Sequence, residues 1–242
     1  MGKEVFIFDI DGTLTPARGK MDEEFCKIFK KFISTRTVYL ATGSDYPKVL
    51  EQIPLELIYD CMGVFTCMGN ELRVNGHIVY THKLEVPAQV IDWLHLQIKN
   101  SKCPPKIKGV KNFEHRAGMI NFSTVGRDII NGERELYYQW DKATGERASI
   151  VNHFNILFAE YELEAVIGGK ISIDIQKKGK GKGQIYDYLS MHQTKIFFGD
   201  QCGPGGNDFS LYSLCEKKFH VDSWQHTARI ISQNLDLEEM SL

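Results

Sequence analysis

The chain is predicted to be an α/β protein: a doubly wound, Rossmann-like parallel sheet with an inserted α+β domain that carries an antiparallel sheet. Three observations predict this. Apolar runs that end in small or acidic residues (VFIFD, VYLATGS and KIFFGD) occur towards both ends of the chain, the pattern of strands buried in a parallel sheet. Strand and helix patterns alternate in those same parts. Between them strands and helices segregate, as they do in an antiparallel α+β unit. The implied boundaries are residues 1–83 and 184–242 for the outer domain and 84–183 for the insert.

The elements follow in order. Val5 to Phe8 reads as a buried strand, and MDEEFCKIFKKFI places Phe25, Ile28, Phe29 and Phe32 at helical spacing. A strand is expected at Thr37 to Ala41, then a helix in TGSDYPKVLEQI, capped by Ser44 or Asp45 with Pro47 in its first turn. VFTCM is a further apolar strand, and ELRVNGHIVY alternates around Asn75-Gly76, a strong hairpin signal.

The insert opens with a helix over Pro87 to Asn100 and a break at Cys103-Pro104-Pro105. Short strands are expected at Asn112–His115 and Met119–Ser123, and helices at Asn131–Lys142 and Ala148–Phe158. EAVI and KISIDI flank a turn at Gly168-Gly169. KKGKGKG is a connector, after which the α/β pattern returns with a helix from Ile185, the strand KIFFGD, the loop GPGGND and further helices.

A net charge of −2, with 43% hydrophobic and 25% charged residues, is the balance of an ordinary globular protein. It carries no basic footprint for nucleic acid or a membrane surface. No apolar run approaches the roughly 18 residues that span a bilayer, and because Met1 to Glu4 run directly into a strand, no signal peptide is expected. The six cysteines form no CxxC pair and no zinc spacing, so free thiols in a reducing, cytoplasmic setting are expected.

Carboxylates are rarely buried without a partner, yet the first strand delivers Asp9 and Asp11 into its exit loop. In a doubly wound sheet the strand C-termini meet at one edge, where ligands bind. That edge would gather Asp9, Asp11, Thr42, Ser44 and Asp200. Carboxylates brought together repel, and Mg²⁺, which takes oxygen ligands and commonly a substrate phosphate, is the natural remedy.

DIDGT, TGS, Lys182 and GDxxxxGGND together resemble the haloacid dehalogenase superfamily of phosphotransferases. The resemblance implies that Asp9 is a nucleophile that becomes phosphorylated and Asp11 the general acid/base. It further implies Mg²⁺ held by Asp9, the Asp11 carbonyl and Asp200, with Lys182 steadying nucleophile and phosphate. For the phosphate-binding hydroxyl, Thr42 sits where many members carry threonine, whereas Ser44 matches a narrower subgroup.

That subgroup is the eukaryotic-type phosphomannomutases. HRAGMINFSTVGRDIINGER resembles their cap segment, with Arg116, Arg127 and Arg134 at the arginines that grip the idle phosphate and Asn121 between them. GGKISID resembles the hairpin that supplies Ser172 and Asp174, and TPARGKM the segment that supplies Arg18. Guanidinium pairs suit a dianionic phosphate, and residues two apart on a strand share a face.

The implied activity is interconversion of mannose 6-phosphate and mannose 1-phosphate for GDP-mannose synthesis. A hexose 1,6-bisphosphate would be the activator, and the chain would form a homodimer through its cap, with Trp93, Leu94 and Trp140 as possible contacts or ordinary core residues. A Mg²⁺-dependent sugar-phosphate phosphatase shares the same core motifs, and a non-catalytic sugar-phosphate binder is a third reading. The sequence departs from the family at Thr66-Cys67-Met68-Gly69 (Pro-Glu-Asn-Gly in the family), Ala117, Lys180-Gly181 and Leu214.

Overall fold

The structure is a computed structural model that describes residues 4–104 and 106–239. Met1 to Lys3 and Pro105, which figured in the reading of the N-terminus and of the proline break, lie outside the described residues. The chain divides into two compact units, Met1–Thr81 with Lys180–Leu242, and His82–Gly179.

The first unit opens with β1 (Glu4–Phe8), α1 (Glu23–Ile33) and β2 (Val38–Ala41). Val5 and Ile7 of β1 enter one hydrophobic cluster, while Phe6 and Phe8 face another. A strand covered on both sides has no room for polar side chains until its end, which is why the carboxylates wait for Asp9. The Phe8 ring meets Phe29 edge-on at 5.4 Å and stacks on Phe198 at 4.6 Å, each worth about 0.5–1.5 kcal/mol beyond burial. Asp22 caps α1 by accepting from the amides of Glu24 and Phe25, and the helix buries Phe25, Phe29, Phe32 and Ile33.

α2 (Tyr46–Gln52) is capped by Asp45, with Pro47 in its first turn. Pro54, which cannot continue that helix, starts a separate α3 (Leu55–Asp60) that the sequence pattern did not resolve. β3 (Gly63–Thr66) follows, then the hairpin β4 (Glu71–Val74) and β5 (His77–Thr81). Asn75 and Gly76 both have positive φ, 49° and 77°, as the tight turn between those strands requires.

The second unit holds α4 (Ala88–Asn100), β6 (Phe113–Arg116), β7 (Met119–Phe122), α5 (Asn131–Thr144), α6 (Glu146–Leu157), β8 (Leu163–Ile167) and β9 (Ile173–Lys177). Its four strands form an antiparallel sheet in the order β6-β7-β9-β8. The expected dimer-contact residues are used within this unit. Leu94 is fully buried, Trp93 meets Phe154 and Phe158 edge-on, and Trp140 packs beside Tyr137.

The chain then returns to the first unit through α7 (Gln184–Tyr188), β10 (Thr194–Gly199), α8 (Phe209–Leu214), β11 (Lys217–His220) and α9 (Trp224–Glu239). The seven-stranded sheet runs β11-β10-β1-β2-β3-β4-β5, with β4 antiparallel to both β3 and β5 and the other pairs parallel. β11 was not foreseen. Its KKFH stretch sits at the sheet edge, mostly exposed, and lacks the apolar run of an inner strand.

Candidate active site

β1, β2 and β10 lie side by side and parallel, so their C-termini open at one sheet edge. Asp9 follows β1, Thr42 and Ser44 follow β2, and Asp200 follows β10. Lys182, fully buried, reaches this edge from the connector. Its Nζ lies 2.5 Å from Asp9 Oδ1 and 2.6 Å from Asp208 Oδ1. Oxygens of Asp9, Asp200 and Asp208 lie within 4.8 Å of one another.

Asp208 is the residue that the sequence reading overlooked. It was visible as the last letter of GGND, but only the fold shows that it shares Lys182 with Asp9. Its other oxygen accepts from the Gln201 amide at 3.1 Å. Gly12, at φ 83°, leaves the close approach to Asp200 open, since a Cβ there would stand 2.5 Å from Asp200 Oδ2.

Burial pushes the Asp9 carboxyl up from its ordinary range, and Asp208 pushes the same way against Lys182. Burial also raises Asp200, with Asp208 adding to it. For Lys182 burial works against the charge, but Asp208 and Asp9 outweigh it and hold the ammonium cationic. Three carboxylates against one ammonium leave two negative charges, which a divalent cation cancels. The all-oxygen donor set suits a hard ion such as Mg²⁺, so the residues fit the expected metal.

This has a consequence for stability. A carboxyl whose pKa is raised by folding holds its proton more tightly in the folded state. Its ionised form therefore costs stability, a cost absent below the ordinary value of 3.8 and growing as pH rises through the raised one. Mg²⁺ at about a hundred times its Kd is expected to raise Tm near pH 7.5 by on the order of 5 °C or more. Near pH 4.5 the rise should be far smaller, as protons compete for the same oxygens. A thermal scan with equal Mg²⁺ effects at both pH values would count against this cluster as the metal site.

Asp11 is not part of that cluster. Its Oδ1 accepts from the Arg18 amide at 2.5 Å and from Gln52 Nε2 at 2.9 Å. Gln52 also reaches Thr15 Oγ1 and the Gly19 carbonyl, so it ties the loop after β1 to the end of α2. Arg18 itself has a φ of 60°. Thr42 is buried and its Oγ1 accepts from the Ser44 amide at 3.0 Å, while Ser44 is half-buried.

Where the family has Glu-Asn, Cys67 and Met68 adopt φ of 52° and 63°. Left-handed backbone costs a non-glycine residue roughly 1 kcal/mol or more. The turn is nonetheless fixed, because the amides of Cys67 and Met68 donate to the carbonyls of Ser44 and Thr42. Asn70 and Gln184 hold it against the Lys180 carbonyl, at 3.4 and 2.7 Å.

The second unit gathers the other expected residues. Asn121, Ser172 and Asp174 are buried, and Asn121 faces Asp174 across the β7–β9 pairing. Asn121 donates to Asp174 and accepts from Arg127. Burial raises the Asp174 carboxyl, against the pull of Arg116 and Asn121. A Cβ on Gly168 would stand 2.8 Å from Ser172 Oγ and 2.9 Å from Asp174 Oδ2, so the turn needs glycine there.

Arg134 donates to the carbonyls of Ile129 and Arg127 and so closes the loop that carries Arg127. Two further residues escaped the sequence reading. Arg147, paired with Asp141 at 2.8 Å, donates to the carbonyls of Gly168, Gly169 and Ser172 and holds the Ser172 turn. Glu114 pairs with both Arg116 and Arg127. Its only sequence signal is its place two residues before Arg116 on a strand.

The family model described as eukaryotic phosphomannomutase matches residues 24–237. A phosphomannomutase from Triticum aestivum is 32% identical over 212 residues, covering 85% of this chain and 84% of that protein. One from Galdieria sulphuraria is 29% identical over 238 residues, covering 96% and 94%. Among solved structures, the C-terminal domain of a C. albicans trehalose-6-phosphate phosphatase superposes with a TM-score of 0.62 at 13% identity, covering 97% of this chain and 91% of that one. A Plasmodium falciparum IMP-nucleotidase gives 0.64 at 16% identity, covering 96% and 68%. At such identities the structural matches speak for the fold alone.

Proposed function

The chain belongs to the eukaryotic phosphomannomutase family, and from that premise we propose that it interconverts mannose 6-phosphate and mannose 1-phosphate through a phosphorylated Asp9. The observation that carries this reading is the Asp9 carboxylate at the end of β1, with one oxygen on Lys182. Asp9 forms a bond to phosphorus as the bond from phosphorus to the oxygen of a hexose 1,6-bisphosphate breaks. Asp11 gives that departing oxygen its proton. In the second half a hexose monophosphate hydroxyl loses its proton to Asp11 and takes the phosphoryl group from Asp9.

Asp9, Asp200 and Asp208, with the Asp11 carbonyl as the family implies, would hold a divalent cation, which would supply neutralising charge for the phosphoryl oxygens. Lys182 holds Asp9 in place and offers the same kind of charge. Thr42 and Ser44 are the two hydroxyls that would donate to the phosphate, since Thr42 Oγ1 accepts from the Ser44 amide and so keeps its own O–H to give. Arg18 would contact the sugar phosphate near the reacting end. Arg116, Arg127 and Arg134 would hold the idle phosphate, with Asn121, Ser172 and Asp174 on sugar hydroxyls.

The reading also carries a homodimer through the caps and a reducing, cytoplasmic setting. All six cysteines are free thiols, and no helix among the described residues is long and apolar enough to cross a membrane.

The test is phosphorus NMR with mannose 1-phosphate, Mg²⁺ and a catalytic amount of glucose 1,6-bisphosphate. The expected result is a growing mannose 6-phosphate signal with little inorganic phosphate. Inorganic phosphate as the main product would make the protein a sugar-phosphate phosphatase and would turn attention to Cys67 and Met68. No Mg²⁺-dependent turnover at all would leave a binding protein.

A further inference from the structure

Glu114 occupies a position that neither the family resemblance nor the reaction accounts for. Side chains two apart on β6 share a face, so Glu114 and Arg116 lie together. In the sheet register Glu114 stands opposite Asn121, and Asn121 opposite Asp174. The three form one polar row across three strands. Arg116 reaches Glu114 Oε1 at 2.8 Å, and Arg127 donates to Glu114 Oε2 from the neighbouring loop. The side chains of Arg116 and Arg127 are 9% and 11% exposed, that of Glu114 35%. Glu114 is therefore the most exposed side chain of the three. Burial would raise its pKa, but Arg116 and Arg127 outweigh burial and keep it ionised.

Two guanidinium groups side by side repel each other, and a carboxylate between them removes that repulsion. The same carboxylate competes with any phosphate that approaches the pair, since it occupies N–H donors a phosphate would use. One residue thus has two opposed effects on an anion site. It aligns the arginines, and it lowers their pull. A grip of limited strength suits a bisphosphate that must let go and bind again the other way round, because tighter binding of an intermediate slows the step that releases it.

We propose that Glu114 is a positioning residue that sets the strength of the arginine grip on the idle phosphate, keeping the pair aligned yet weak enough for the sugar bisphosphate to reverse. The proposal rests on the phosphomannomutase reading above. It would not act on the reacting atoms, only through Arg116 and Arg127.

Two variants separate charge from alignment. Glu114→Gln removes the charge while keeping the shape of the side chain and an acceptor oxygen for one of the two arginines, its amide nitrogen facing the other. Glu114→Ala removes the charge and the acceptor together. Steady-state kinetics with mannose 1-phosphate are expected to show KM lowered by about fivefold in Glu114→Gln, the influence of one nearby unit charge across a partly solvated site. The kcat should fall by a similar factor, so that kcat/KM barely moves. In Glu114→Ala, KM should rise above the unmodified value as the arginines lose alignment.

The same comparison by calorimetry, with mannose 1-phosphate and Asp9→Asn as the common background, reads the grip without any turnover. There Asp9→Asn/Glu114→Gln should bind more tightly than Asp9→Asn alone. Weaker binding in both glutamate variants would overturn the proposal and leave Glu114 a structural partner, and unchanged binding in both would overturn it as well. If the unmodified protein releases only inorganic phosphate, the mutase reading fails while the calorimetry still decides the charge effect. If Asp9→Asn binds no mannose 1-phosphate, both fall together.

Discussion

Replacing Asp9 by Asn is expected to lower kcat by at least about 10⁴-fold, with the Kd for a hexose phosphate staying within about threefold. The amide has nearly the shape of the carboxylate but no anionic oxygen to attack phosphorus. It can still accept from Lys182 through its carbonyl, so the buried contact survives in weakened form. Incubation with a labelled hexose bisphosphate provides the check: the unmodified protein should retain label as an acyl phosphate and Asp9→Asn should retain none. Turnover within tenfold of the unmodified protein would sink the nucleophile assignment. The substitution also removes one of three clustered carboxylates, so Mg²⁺ should stabilise the variant less than it does the unmodified protein.

The second large effect is on stability. Lys182→Met keeps much of the length of the side chain and removes its charge. Asp9 and Asp208 then face each other inside the protein with no cation between them. Breaking a buried pair by removing one partner costs about 3–5 kcal/mol, which for a chain of this size lowers Tm by on the order of 10 °C. Mg²⁺ should recover part of that loss, because a cation held by the same carboxylates replaces some of the missing charge. Calorimetric scans with and without Mg²⁺ would measure both terms. A Tm within about 2 °C of the unmodified protein would mean that the carboxylates are protonated rather than paired.

The fold was largely legible because its determinants are local. Apolar runs ending at Asp9, Ala41 and Gly199 specify inner parallel strands, and Asn75-Gly76 specifies a hairpin turn. β11 was not legible, since an exposed edge strand of two lysines and a histidine has no pattern that separates it from a loop. The site divides in the same way. Asp9 and Asp200 stand at strand ends and announce themselves. Lys182 could be singled out only by its place before the returning α/β pattern. Asp208, Gln52 and Glu114 acquire their roles from partners far away in sequence, 26, 41 and 13 residues off for Lys182, Asp11 and Arg127 respectively. No spacing rule links residues across such gaps. The cap arginines were found by resemblance, and their mutual carboxylate was not, because a glutamate on a half-exposed strand looks like any solvated charge.

The division of the chain has a consequence for its synthesis. The unit His82–Gly179 is one unbroken segment, whereas the other unit is assembled from both sides of it. On the ribosome the inserted segment can emerge whole, while β1 waits for β10, its neighbour in the sheet, and Asp9 waits for Lys182 and Asp208. A nascent chain stopped just past Gly179 has Arg116, Arg127 and Arg134 but neither Lys182 nor Asp208. Until the last stretch is made, the side of β1 away from β2 is an unpaired apolar edge, the kind of surface that chaperones cover. Premature termination in that stretch would therefore yield an intact insert on an unfinished core.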